Sequence, residues 1–410
     1  LKRVEERQES LRTRFVVDND GQPRALILPC GEPPLVVEDM PGADAAAVQA
    51  RLSALLDSPL DPFAEAPYRV TVLRGGEDGD VVVAQGHHLI FDGWALGVFV
   101  EEVFQAFLGI PLGPPEMTVE QYVNEFDRAT DPVFMAEREA YVRELYGANP
   151  PPLPNFGRKA KGLAPNLDRT QAGPGGEIFA FLNATGHEKV QTRARRIGIT
   201  ETSLLNAAVA QAIAVRGGVE DVILNIPAAM RTDRRLNNFV GWVHGSTLLR
   251  APGGAVADLD VLGVMLSDQL NRALVYTPFE FCFLDGDLHD DLVAKGSYLA
   301  LFVSGMQTPD RFARGATTSA LQRQGKTEEL DLGLIKVAPL SAKLLRYAIN
   351  EIDLRSFQSA DGLAYRLGYD TTALTAAEGL ELVADVLDRL GVGPDGCEAI
   401  VDTDAEEKNA

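Results

Sequence analysis

The stretch "GHHLIFDGW", residues 86–94, sets two adjacent histidines at the end of an apolar run, followed after three residues by an aspartate and a glycine. The whole chain holds five histidines, so a pair of them side by side asks for a reason. The flanks say where the pair sits. Upstream, "YRVTVLRG" (68–75) alternates and then meets Gly-Gly, and "DVVVAQG" follows, so 68–86 reads as a β-hairpin. Downstream, "WALGVFVEEVFQAFLG" places Leu96, Phe99, Val103, Phe104 and Phe107 at helical spacing and stops at Gly109, the pattern of a largely buried helix. His87 and His88 therefore stand where a strand turns into a helix.

Three chemistries compete for such a pair. Neighbours on a strand point to opposite faces, so His87 and His88 are poorly placed to grip one ion, and only Asp92 lies near as a third ligand. A second reading has both as strand-end residues, one buried and satisfied, one exposed. In the third, an imidazole on a rigid turn takes a proton from an attacking amine or hydroxyl, since its ordinary pKa lies near working pH. Asp92 can cap the helix or hold a cationic partner, and Gly93 would relieve crowding at the turn. The residues alone leave the structural and catalytic readings standing.

The chain has 410 residues, which favours two or three domains over one core. Its 46% apolar and 24% charged residues are those of a globular protein. A net charge of −21, from 38 basic and 59 acidic residues, argues against nucleic acid as a partner, because phosphate binding needs clustered Lys and Arg. Cys30, Cys282 and Cys397 are widely spaced and form no CxxC, so neither a disulfide framework nor a thiolate zinc site is expected, and the cytoplasm is the expected compartment. No run approaches the roughly 20 apolar residues of a membrane span. The opening "LKRVEERQESLRTRF" lacks the apolar core of a signal peptide and reads as the end of an amphipathic helix.

Along the chain, "RALILP" (24–29) reads as a strand, 45–58 as a helix with Val48, Leu52, Leu55 and Leu56 on one face, and 117–146 as one further helix. Residues 147–176 are rich in Pro and Gly without periodicity and read as a linker. The division expected is 1–150, a linker at 151–176, and 177–410. The second half opens with a strand at 177–183, a basic helix and an apolar helix at 202–217. A strand at 221–229, paired strands within 346–370 and a helix near 376–390 follow. Both halves mix sheet and helix, an α/β class.

The motif resembles the HHxxxDG signature of nonribosomal peptide synthetase condensation domains, within the superfamily of chloramphenicol acetyltransferase-like enzymes. "QESLRTRF" (8–15) resembles that family's "HEaLRTRF" helix end, with Gln8 in place of His. "DSPLDPFAEAPYRVTVLR" (57–74) is similar to its approach to the motif, and "ILNIPAAMRTDRRLNNFVGWVHGSTLLR" (223–250) to its second-half segment, an Arg followed by "vG.fvNtlplR". Where that pattern has asparagine, this chain has Gly245, with His244 before it and Ser246 after it.

The resemblance implies two acetyltransferase-like lobes in a pseudo-dimeric V with a tunnel between them, and the first strand and helix of such a domain missing from the start. It implies His88 as the catalytic histidine and His87 as a structural neighbour. Asp92 would pair with an Arg from the second lobe, matched here by Arg231, and Gly93 would mark backbone beside the tunnel. The competing reading of Arg231 is a solvated member of a basic cluster with Arg234 and Arg235. Trp94, Trp242 and His244 become tunnel-lining candidates, with plain packing the alternative for each.

The reaction implied is acyl transfer from a thioester on a carrier protein's phosphopantetheine arm to an amine or hydroxyl acceptor, forming an amide or ester in natural-product, including antibiotic, biosynthesis. No metal or bound cofactor is implied for the chain itself. Retention of both histidines is unlike heterocyclisation domains, and retention of His88 is unlike non-catalytic recruitment domains. Two alternatives stay open: an acyl-CoA-dependent acyltransferase of the same superfamily, and a non-catalytic platform that binds carriers or other partners. "RTR" (12–14) and "RARR" (193–196) are candidate docking patches for an acidic carrier, and a solvated helix face explains either as well.

Overall fold

The computed structural model describes residues 1–126, 131–152, 154, 156, 173–253, 257–276, 302–307, 330–331, 336–337, 347–348, 351–359 and 362–402. Most of the expected linker, Cys282 and nearly all of the acidic tail lie outside the described residues. The chain falls into two compact units. The first takes the described residues of Leu1–Asp127, Arg231–His244 and Arg314–Ala342. The second takes those of Arg128–Met230, Gly245–Ala313 and Lys343–Ala410.

In the first unit, α1 (Lys2–Arg7) and a 3-10 turn lead into the antiparallel hairpin of β1 (Thr13–Val17) and β2 (Pro23–Ile27). Asp18 closes that hairpin by accepting the amides of Asp20 and Gln22. β3 (Leu35–Asp39) runs parallel to β4 (Tyr68–Gly76), which pairs antiparallel with β5 (Gly79–Gly86). Gly75, near the end of β4, and Gly79, at the start of β5, take positive φ on either side of the turn, as the Gly-rich sequence anticipates. α2 (Ala45–Leu56) is capped by the Asp44 carboxylate and buries Val48, Leu52 and Leu55 against Leu73 and Val83. α3 (Gly93–Phe107) follows the histidine turn, and α4 (Val119–Phe126) comes after it.

Two expectations change here. The single helix at 117–146 is two, α4 and α5 (Pro132–Tyr146). Asp131 caps α5 through the amides of Val133 and Phe134, and Pro132 occupies its first position, so a new helix begins there by its own signals. The boundary between units also falls earlier in the chain than residue 150, because α5 belongs to the second unit. Tyr141 donates its hydroxyl to the Leu248 carbonyl at 3.1 Å, and Arg250 donates to the carbonyls of Leu145 and Tyr146.

The second unit is organised on an eight-stranded sheet. Its strands are β6 (Gly173–Leu182), β7 (Val222–Ala229), β8 (His244–Ala251), β9 (Phe302–Gln307), β12 (Tyr347–Ala348), β13 (Ile352–Ser359), β14 (Gly362–Asp370) and β15 (Cys397–Asp402). The order is β12-β6-β14-β13-β9-β7-β8, with β15 also pairing β6. The two-residue strands β10 (Leu330–Asp331) and β11 (Lys336–Val337) form a separate antiparallel pair that belongs to the first unit. The helices are α6 (Ala184–Ile197), α7 (Glu201–Gly217), α8 (Leu259–Ala273) and α9 (Ala376–Leu390). α7 is buried from Ser203 to Ala214, all round rather than on one stripe. One face of β6, β13 and β14 supplies Ile178, Ala180, Ile352, Leu354, Tyr365 and Leu367 to the same core.

Candidate active site

The motif turn is built from backbone outward. β5 ends at Gly86, where any Cβ would collide with the Phe91 ring, so glycine lets that ring fold back over the strand. The His87 amide donates to the Pro67 carbonyl at 2.8 Å, and the His87 carbonyl accepts from Ile90 and Phe91 at 3.0 and 3.2 Å. The His87 ring turns onto its own backbone, its Nδ1 accepting from the Leu89 amide at 3.1 Å. His88 is left exposed at the tip of this turn. Its ring lies edge-to-face with Trp242, centroids 5.6 Å apart at 61°. The adjacent histidines thus have different environments, set by the turn that follows β5 and not by alternation along a strand.

Asp92 is buried and does two things at once. As N-cap of α3 its Oδ1 accepts from the Ala95 amide at 2.6 Å. Both its oxygens also accept from Arg231 Nη2 at 3.2 Å, and Oδ2 accepts from the Val243 amide at 2.9 Å. The carboxylate is therefore held as an acceptor by fixed donors. One guanidinium nitrogen spans both oxygens, in place of the two-nitrogen fork an Arg–Asp pair can make.

Arg231 is no solvated cation. Its side chain is 1% exposed. Its Nη1 donates to the carbonyls of Leu236 and Phe239, its Nη2 also reaches the Gly241 carbonyl at 3.3 Å, and the guanidinium lies 5.5 Å from the Trp94 ring centroid. Arg235 is the surface member of the basic run, paired with Asp233 and Glu125. Arg231 also belongs with the first unit, although it lies in the second half of the sequence. The reason is the binding of its segment: Gln8 donates to the Asn238 carbonyl at 2.8 Å and accepts from the Val240 amide at 3.1 Å. Ser10 donates to the Val240 carbonyl, and Trp94 Nε1 to the Asn237 carbonyl at 2.9 Å.

Gly93 departs from expectation. A Cβ there would meet nothing within 4 Å, so it relieves no crowding; close approaches occur at Gly86 and at Gly241, whose Cβ would meet the Phe239 ring. Trp242 lies between two imidazoles, with the His244 ring 6.3 Å away on an edge-to-face path. Its Nε1 donates to the His244 carbonyl at 2.8 Å, and its own carbonyl accepts from the Tyr122 hydroxyl at 3.0 Å. Sequence reasoning missed Tyr122 and the depth of Gln8's involvement. Gln8 carried a signal, as the one departure inside an otherwise matching "LRTRF" approach.

Behind this sits Glu102 on α3, hydrogen-bonded by Arg7 Nε at 2.8 Å and Gln8 Nε2 at 2.9 Å. Burial outweighs these donors and raises its carboxyl above the ordinary glutamate range. Among the described residues, no group of three or more His, Cys, Asp or Glu side chains is gathered as a metal would need.

Comparison with known families matches residues 1–271 to the condensation domain. The chain belongs to the condensation-domain family. Cyclosporin synthetase of Tolypocladium inflatum is 28% identical over 258 residues, 60% of this chain and 2% of that protein. The chain spans 2% to 3% of the length of the first such synthetases it matches. Among solved structures, one describing condensation domain-mediated chain release from the enacyloxin polyketide synthase superposes with a TM-score of 0.67 at 18% identity, covering 95% of this chain and 73% of that one. The teicoplanin X-domain, solved in complex with OxyB, gives 0.71 at 14% identity, covering 96% and 84%. These likenesses show the fold, the two-lobed α/β architecture of condensation domains, along nearly the whole chain. In this family member the signature is spelled His87–His88 and Asp92–Gly93, and the structure brings Asp92, Arg231, Trp94, Trp242 and His88 into one connected set. No helix among the described residues is long and apolar enough to cross a membrane.

Proposed function

We propose that the chain is a condensation enzyme that transfers an acyl group from a carrier-protein thioester to an amine or hydroxyl acceptor, with His88 as the group that takes or positions the acceptor's proton. The observation that carries this reading is the division of labour in the motif turn. His87 is folded onto its backbone and Asp92 is saturated by N–H donors, while His88 stands exposed on a rigid turn. An imidazole so placed is open to an approaching acceptor, as a general base has to be.

In the step proposed, the acceptor nitrogen or oxygen attacks the thioester carbonyl. The new C–N or C–O bond forms as the C–S bond breaks, and the acceptor's proton passes by way of His88 to the departing phosphopantetheine thiolate. The carrier and its arm are substrate; the chain itself contributes His88, the Asp92–Arg231 pair and its surroundings. The setting proposed is cytoplasmic natural-product assembly, including antibiotics.

The test offers acyl groups on a carrier protein and on coenzyme A, with mixed amine and alcohol acceptors, to wild type and His88→Ala, read by intact mass. Product from carrier-bound donors, reduced at least about a hundredfold in the variant, is expected. Product from coenzyme A donors alone moves the chain to the acyl-CoA branch. Tight carrier binding by both proteins without product overturns catalysis in favour of a binding platform.

A further inference from the structure

We propose that Trp242 is a positioning residue for His88, and that the Asp92–Arg231 pair acts on the imidazole through it. The proposal deepens the acyl-transfer reading of His88 and rests on it for its kinetic arm.

An exposed histidine on a turn has two side-chain torsions to settle, and a reaction that moves its proton needs one setting. The edge-to-face contact with Trp242, 5.6 Å between centroids, is a packing surface that selects among those settings. Such a surface is useful only if it is itself fixed, and Trp242 is fixed from several directions. Its indole N–H is tied to the His244 carbonyl at 2.8 Å, which sets the ring's rotation. Its carbonyl takes the Tyr122 hydroxyl at 3.0 Å. The residue after it, Val243, gives its amide to Asp92 Oδ2 at 2.9 Å. The residue before it, Gly241, gives its carbonyl to Arg231 Nη2 at 3.3 Å. The two partners of the buried ion pair thus grip the chain on either side of the tryptophan. Asp92, whose lone pairs are committed to N–H donors, influences the site by holding this peptide, and the indole carries that constraint to His88.

The experiment reads ring position and kinetics separately. Imidazole proton and carbon signals are recorded for wild type, Trp242→Leu, Trp242→Phe and Tyr122→Phe, with His88 assigned by its loss in His88→Ala. Ring-current displacement of the His88 signals is expected in wild type, lost in Trp242→Leu and partly kept in Trp242→Phe. In the acyl-transfer assay, Trp242→Leu is expected to lower kcat about tenfold or more with KM within roughly twofold, and Trp242→Phe to recover most of the loss. A folded Trp242→Leu whose His88 signals and kcat match wild type overturns the proposal. Should Trp242→Leu fail to fold, Trp242→Phe and Tyr122→Phe carry the same comparison: the first loses the indole N–H tie, the second the hold on the carbonyl. An unmoved His88 in both overturns the proposal equally. Absence of acyl transfer in wild type defeats the reading of the enzyme, while the resonance arm still decides whether Trp242 orders His88.

Discussion

Each of the two units is stabilised internally by a different physics. In the second, α7 and the sheet beneath it form a continuous apolar core in which Leu204, Ala207, Ala208, Ala210, Ala212 and Ile213 are entirely enclosed. In the first, the region around the motif is organised by buried polar groups: Arg7 on Glu102, Gln8 on the backbone of 238–240, and Asp92 on Arg231 and two amides. An apolar core tolerates exchange of one hydrophobic group for another of similar volume. A buried polar network does not, because each member removed leaves its partners desolvated and unpaired. The catalytic candidate lies beside the network, where geometry is specified residue by residue.

The largest effect expected from breaking this contrast is at Arg231. Arg231→Ala strands the buried Asp92 carboxylate and three carbonyls that the guanidinium serves, an expected loss of about 3–5 kcal/mol in urea unfolding. Arg231→Lys restores the charge without the planar reach, and is expected to recover less than half of that loss. If Arg231→Ala unfolds within about 1 kcal/mol of wild type, the pair is not what organises the first unit.

This difference also explains what could be read from the sequence. The hairpin at 68–86, the helix after Gly93, the helix at 376–390 and the apolar α7 all follow from periodicity, because one apolar face or a wholly apolar helix writes itself into spacing. In α3, however, Leu96 and Phe107, expected on the buried face, are exposed, and Ala95, Gly97, Val98, Phe99 and Glu102 are the buried residues. The motif turn is legible as a motif, and Asp92 as a helix cap or as the holder of a cationic partner, where the structure gives it both roles. What spacing could not show is that residues 231–244 join the first unit, since several of the hydrogen bonds that bind them, from Gln8, Ser10 and Trp94, reach backbone atoms, which carry no residue-type signal. The split between α4 and α5 was visible in "DPV", with its capping Asp131 and first-turn Pro132, and was hidden only by continuing the apolar pattern across it.

The second unit holds an exception that sharpens the comparison. Asn206 on α7 is 0% exposed, and neither its amide nitrogen nor its oxygen has a hydrogen-bond partner among the described residues. A buried polar group without partners costs stability in an otherwise apolar core. Asn206→Leu, close in volume, is therefore expected to raise stability by about 1 kcal/mol, measured by urea or thermal unfolding. A loss of stability would mean that the amide is satisfied after all, and that the second unit also relies on a polar member.

The smallest effect is one of pH, and it concerns the first unit's polar network. Burial raises the Glu102 carboxyl, and the Arg7 and Gln8 donors only partly offset this. A carboxyl whose folded pKa lies above its unfolded value binds more protons in the folded state, so unfolding free energy falls as pH rises between the two. The contribution of Glu102 is thus fully present below the ordinary glutamate range and is lost as pH climbs through its raised value. Glu102→Gln keeps an acceptor for Arg7 and removes the titration. Wild type and variant should then show different slopes of stability against pH from about 4 upward, the wild type falling faster. Parallel slopes would place the proton elsewhere and make the Arg7–Glu102 contact an ordinary ion pair.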